Sequence, residues 1–175
     1  MFLSDQTNPV VHETPLAEML RLPAVPEDVV TQYWAAGAEG YLRNLAALAV
    51  HPGLDVTTIG ADPQGYEILL ISRNSSIIAA RHVATGAFIG GIDYRDFFVR
   101  EEHRGMGVGS HLLLHAFDQR IRNPVMRGHF LSEGGKRTVV AAHRLAVKRA
   151  IDGGLDVPSA VACDYPDLIG VAVTP

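Results

Sequence analysis

Apolar positions fall into two rhythms along this chain, and the rhythms change where turn residues cluster. Residues 1–25 are rich in proline and turn formers, with a short apolar pair at Val10-Val11 and a short helical pattern over 16–22. Pro26-Glu27-Asp28 reads as a helix start, because proline suits the first turn and acidic side chains there oppose the dipole. Val29, Val30, Tyr33 and Trp34, then Tyr41, Leu42, Leu45 and Leu48, recur at helical spacing; Gly37 and Gly40 bend or split the stretch, and His51-Pro52-Gly53 stops it. Extended segments follow: Tyr66–Ser72, a turn at Arg73-Asn74-Ser75-Ser76, residues 77–83, and a turn at Ala84-Thr85-Gly86. Residues 87–99 read as one long strand in which Gly90-Gly91 marks a bulge or a close backbone approach.

The back of the chain returns to the helical period. A helix beginning near Ser110 carries the stripe Leu112, Leu113, Ala116, Phe117 and Ile121, and Asn123-Pro124 ends it. Residues 126–131 suit a short strand, 138–151 a second helix closed by Gly153-Gly154, and 159–175 two short apolar runs around Asp164-Tyr165-Pro166-Asp167. This order predicts one mixed α/β domain over 1–175, with a mainly antiparallel central sheet flanked by helices.

Composition narrows the classes. The 175 residues are enough for one cored domain, and 47% are hydrophobic against 19% charged. No segment reaches the roughly 18 apolar residues of a membrane span, and the start of the chain lacks a basic region followed by an apolar run. Cys163 is the only cysteine, so no internal disulfide forms. We expect a cytoplasmic protein without membrane partners. A net charge of −4 argues against a general nucleic-acid binder. Lys136, Arg137, Arg144, Lys148 and Arg149 read as a solvated helix face, or as contacts to a phosphate. The apolar tail would suit a homodimer interface.

The chemistry concentrates in one loop. Phe97-Phe98-Val99 runs into Arg100-Glu101-Glu102-His103-Arg104-Gly105-Met106-Gly107-Val108-Gly109, and a helix leaves it. Alternating glycines let a ligand approach the backbone, and the unpaired amides and dipole of the next helix favour an anion there. A structural turn or another phosphate ligand would fit the glycines alone. The order Val99-x4-Arg104-x2-Gly107-x-Gly109 resembles the acyl-CoA loop of the GNAT superfamily of N-acetyltransferases. The specific match covers about residues 99–110; beyond it the likeness is one of element order, with two helices before the meander and a terminal strand pair at the end.

The resemblance implies acetyl-CoA as the acyl donor and an amine-bearing small molecule or protein as acceptor. It implies that the amides of Arg104, Gly105, Met106, Gly107, Val108 and Gly109, with Ser110, meet the pyrophosphate. Val99 would bond the pantetheine arm in a slot between two splayed parallel strands. The family places an acidic base on the strand before the loop; Asp93, six residues before Val99, takes that place with Asp96 in reserve. Asp93 is also read as a residue that ends a turn. The family's tyrosine on the second helix falls near Ala150 and is absent, which leaves Tyr165 or Tyr94 as proton donor, each also suited to packing. A non-catalytic acyl-CoA-binding module is therefore the alternative reading. A dinucleotide site ranks last, since the loop follows a meander rather than opening a βαβ unit. His111 and His115 share one helix face, but they lack the glutamate and third ligand of a zinc motif, so no metal is expected.

Overall fold

The computed structural model describes residues 10–26, 37–62, 64–72, 76–94, 96–121, 125 and 131–169. In chain order its elements are α1 (Leu16–Met19), β1 (Ala24–Val25), α2 (Ala38–Ala49), β2 (Asp55–Asp62), β3 (Tyr66–Ser72), β4 (Ile77–His82), β5 (Phe88–Ile92) and β6 (Phe97–Val99). They are followed by α3 (Val108–Asp118), β7 (Leu131–Ser132), α4 (Glu133–Asp152), α5 (Ser159–Ala162) and α6 (Pro166–Ile169). Strands β2 to β6 pair antiparallel in sequence order, a five-stranded meander. Helices cover both faces, so the chain is of mixed α/β class with an antiparallel central sheet.

Strand alternation explains the layering. Tyr66 and Ile68 of β3 and Ile78 and Ala80 of β4 face α3 and α4, where they meet Leu112, Leu113, Ala116 and Val139. Leu69, Ile71 and Ala79 point the other way, against Leu42 and Leu45 of α2. Glycine at 91 is required by this second layer: a Cβ there would lie 2.8 Å from Leu45 Cδ1 and 3.1 Å from the Tyr41 hydroxyl. The whole expected stripe of the helix after the loop is buried, Leu112, Leu113, Ala116, Phe117 and Ile121 alike. No helix among the described residues is long and apolar enough to cross a membrane.

Several expectations are corrected. Residues 87–99 form a hairpin, β5 and β6, with Ile92 opposite Phe97. The Asp93 amide donates to the Asp96 carbonyl (2.9 Å), and the Asp96 amide donates to Asp93 Oδ1 (2.8 Å). A carboxylate that takes a backbone amide builds this turn without glycine or proline, which is why the apolar pattern shows no break. Strand β2 was not expected at all. It is an edge strand, exposed over its first four residues, held by the backbone ladder to β3 and by the single apolar contact of Ile59 with the core.

Helix α4 starts at Glu133, not at 138, because the Ser132 side chain accepts from the Gly135 amide (2.9 Å) and caps an extra turn. Of the short strand expected over 126–131, only residue 131 is described; Leu131–Ser132 pairs parallel with β1, in a separate sheet from β2–β6. The tail holds the short helices α5 and α6 where a strand pair was expected, a departure from the GNAT element order among the described residues. Val29, Val30, Tyr33, Trp34, Arg95 and Asn123-Pro124 lie outside the described residues.

Candidate functional site

The loop is built by its backbone. After β6 a single 3₁₀ turn, Glu101–His103, leads to an extended Arg104. Gly105 (φ +78°) and Gly107 (φ +80°) then take left-handed conformations that side-chain-bearing residues rarely adopt. Gly107 is the N-cap of α3, and no side chain caps the helix. The Ser110 hydroxyl donates to the Gly107 carbonyl (2.8 Å), and so does the His111 amide (3.1 Å). These bonds leave the first-turn amides of Val108, Gly109 and Ser110 as donors facing the loop.

The three glycines have different work. A Cβ on Gly105 would meet nothing within 4 Å, whereas one on Gly109 would sit 3.2 Å from Thr138 Cγ2 and 3.4 Å from Phe97 Cζ. Gly109 thus admits α4 against α3 and β6. Val108 drives its side chain into the core, Ser110 is buried, and Met106 and Arg104 are exposed.

Strand β6 is last in the sheet, and no described strand pairs with its outer edge. The Arg100 amide donates to the Ile89 carbonyl (2.8 Å), which makes Val99 and Gly90 a non-hydrogen-bonded pair. The backbone N–H and C=O of Val99, and by the two-residue period those of Phe97, therefore point outward. Arg104 Nε donates to the Val99 carbonyl at 3.2 Å and ties the loop back onto the strand. A slot between two parallel strands is not formed among the described residues, because β7 pairs with β1 and no described strand pairs with the outer edge of β6.

The basic residues of α4 divide into two sets. Arg144 makes a bidentate pair with Asp167, Lys148 pairs with Asp152 (2.6 Å) and Arg149 with Asp118 (3.4 Å). Lys136 and Arg137 take part in no ion pair among the described residues, and they precede Thr138, the residue against Gly109.

The two expected catalytic residues stand apart. Asp93 sits in the β5–β6 turn, level with Asp96, so three residues of β6 separate it from Val99. That is roughly 10 Å, against roughly 20 Å had 87–99 been straight. The Tyr41 hydroxyl of α2 faces this carboxylate; burial first, then the charges of Asp93 and Asp96, push the phenol well above its ordinary range. Tyr165 is buried with Val147 and Val161. Its hydroxyl lies 2.9 Å from His143 Nδ1 and 3.3 Å from the Val140 carbonyl, and none of these partners belongs to the loop. Tyr94 is half exposed, and Cys163 is exposed.

A cluster that sequence reasoning missed lies behind the loop. His111 Nδ1 is 2.8 Å from the Tyr66 hydroxyl and 3.2 Å from Asp62 Oδ2. Burial, then Asp62, raises the Tyr66 pKa beyond its ordinary value. Burial and Arg149 lower that of His111 against the pull of Asp62. Tyr66 reaches the loop itself, its hydroxyl lying 3.8 Å from where a Gly107 Cβ would be. The signal available was weak: His111 was visible as part of a histidine pair, but its partners lie at the β2–β3 turn. Among the described residues no group of three or more His, Cys, Asp or Glu side chains gathers as a metal site.

Compared with family models, curated proteins and solved structures, the chain matches none.

Proposed function

We propose that this chain is an acetyl-CoA-dependent N-acyltransferase of the GNAT type, acting as one domain over 1–175. The observation that carries the reading is the start of α3 behind two left-handed glycines, with no side-chain cap, at the end of a strand whose outer edge no described strand pairs with. Backbone amides from Arg104 to Ser110 would hold the pyrophosphate of coenzyme A, a diphosphate being suited to neutral amides and a helix dipole. The outward groups of Phe97 and Val99 would bond the amides of the pantetheine arm as an added strand.

In the reaction the acceptor's ammonium, with a pKa of about 10 for a lysine-like amine, first loses a proton. Asp93 takes it, with Tyr41 forming part of the acceptor wall. The amine's lone pair then attacks the thioester carbonyl, the tetrahedral intermediate collapses, the C–S bond breaks and coenzyme A leaves as its thiolate. The second proton on the former amine nitrogen passes to that thiolate, leaving a neutral amide and free thiol. A thiol of pKa about 8.5 is a competent leaving group without a dedicated acid, so the reading does not require Tyr165 as proton donor.

A second reading, a non-catalytic acyl-CoA-binding module, is favoured by one observation. Asp93 and Tyr165 both spend hydrogen bonds on the fold, in the turn and on His143. Calorimetric titration with acetyl-CoA, followed by thiol release against a panel of small amines and lysine peptides, separates the two. Binding with amine-dependent thiol release supports the enzyme. Binding without release supports the module. Absence of binding overturns both.

A further inference from the structure

Helix α3 has a second end, and a cleft opens beside it. The cavity measures about 350 Å³, within the roughly 300–1,000 Å³ that small-molecule sites occupy. Its apolar lining comes from Val11, Leu114, Phe117, Ala146 and Leu155. Leu155 is 57% exposed at the mouth, a large apolar side chain left in water beside a cleft. Arg120, Arg149 and Asp118 supply the charge. Asp118 is engaged by Arg149 at 3.4 Å, and His12, also in the lining, lies 3.9 Å from Glu13. No ion pair among the described residues engages Arg120.

The backbone at Arg120 adds an independent observation. The helix closes with the Ile121 amide donating to the Ala116 carbonyl (2.8 Å) and the Arg120 amide to the Phe117 carbonyl (2.9 Å). That closure favours glycine at the left-handed position, yet Arg120 holds it with φ +54° and is the one positive-φ residue other than glycine among the described residues. An arginine at a position whose backbone favours glycine is an outlier that points to a use for its side chain.

We propose that this cleft binds a small amphipathic monocarboxylate, its apolar body on Leu114, Phe117 and Leu155 and its carboxylate on Arg120 and Arg149. The single positive charge left over by the three groups matches a monoanion, and the planar guanidinium suits a carboxylate. The site is separate from the glycine loop. The loop meets the first turn of α3 and the cleft meets its last turns, on an 11-residue helix that spans about 16 Å.

The test is a titration of the full chain with octanoate, with octanol (apolar body without charge) and acetate (charge without body) as controls, followed by backbone amide NMR. Octanoate is expected to bind about tenfold or more tightly than either control, shifting signals of Leu114, Phe117 and Leu155 rather than Gly105 to Ser110. Arg120 and Leu155 are exposed, so their variants keep the fold. Arg120→Gly is expected to raise the thermal midpoint, because glycine accepts the left-handed backbone, while weakening octanoate by about tenfold. Leu155→Glu is expected to abolish binding. Octanol binding as well as octanoate, unchanged affinity in Arg120→Gly, shifts centred on the loop, or an affinity that falls with protein concentration because a second copy covers the mouth would each overturn the proposal.

Discussion

Tyr165→Phe separates a structural hydroxyl from a catalytic one. His143 is fully buried, and its Nε2 lies 2.7 Å from the Thr14 carbonyl. A carbonyl only accepts, so Nε2 carries the proton and Nδ1 must accept from the Tyr165 hydroxyl at 2.9 Å. Phenylalanine keeps the ring against Val147 and Val161 and leaves Nδ1 without its donor. An unsatisfied buried acceptor costs about 1–3 kcal/mol, and for a domain of this size each kcal/mol lowers Tm by about 2–4 °C. Burial and Asp164 also push the Tyr165 phenol up to about 12 against the opposing pull of Arg144, far from the near-neutral pKa that suits a general acid. Urea and thermal unfolding should therefore show the loss, while acyl transfer per folded molecule stays within about twofold of the parent. Unchanged stability with turnover reduced by about 10²-fold would refute this reasoning and make Tyr165 the acid.

Asp93→Asn keeps an oxygen to accept the Asp96 amide, so stability should change by less than about 0.5 kcal/mol while turnover falls by about 10²-fold or more; equal turnover would reduce Asp93 to a turn residue. Gly40 lies inside α2, where a Cβ would meet nothing within 4 Å, so Gly40→Ala should stabilise the fold by about 0.5–1 kcal/mol in urea unfolding. Burial lowers the pKa of His111, His115 and His143. The unfolded chain then binds more protons than the folded one below about pH 6.5. Stability is full above that pH and is lost as pH falls toward the folded values, so the urea midpoint should drop between about pH 7 and pH 5. A flat profile would contradict that placement of the histidines.

Elements with one dry face were legible. Strand β3 has the expected bounds, and the stripe of α3 lies where its spacing put it, since burial writes both patterns into the sequence. Features held by polar groups were not. The β5–β6 turn depends on one Asp93 oxygen, β2 on backbone pairing, and the first turn of α4 on the Ser132 hydroxyl before two glycines that read as a loop. In the candidate site the glycine loop was visible because positive φ and close approach leave few residue choices. Asp62, Tyr66 and His111 were not, because the contact joins the β2–β3 turn to α3 across 45 residues from Tyr66 to His111.

The central claim is that the start of α3 holds the pyrophosphate of coenzyme A, and calorimetric titration of acetyl-CoA into the parent chain and Gly107→Glu tests it most directly. One acetyl-CoA per parent chain is predicted. No detectable binding is predicted for a folded Gly107→Glu, which sets a like charge against the diphosphate and a side chain on a φ +80° backbone. A parent chain that does not bind, or a folded Gly107→Glu that binds equally well, would contradict the account.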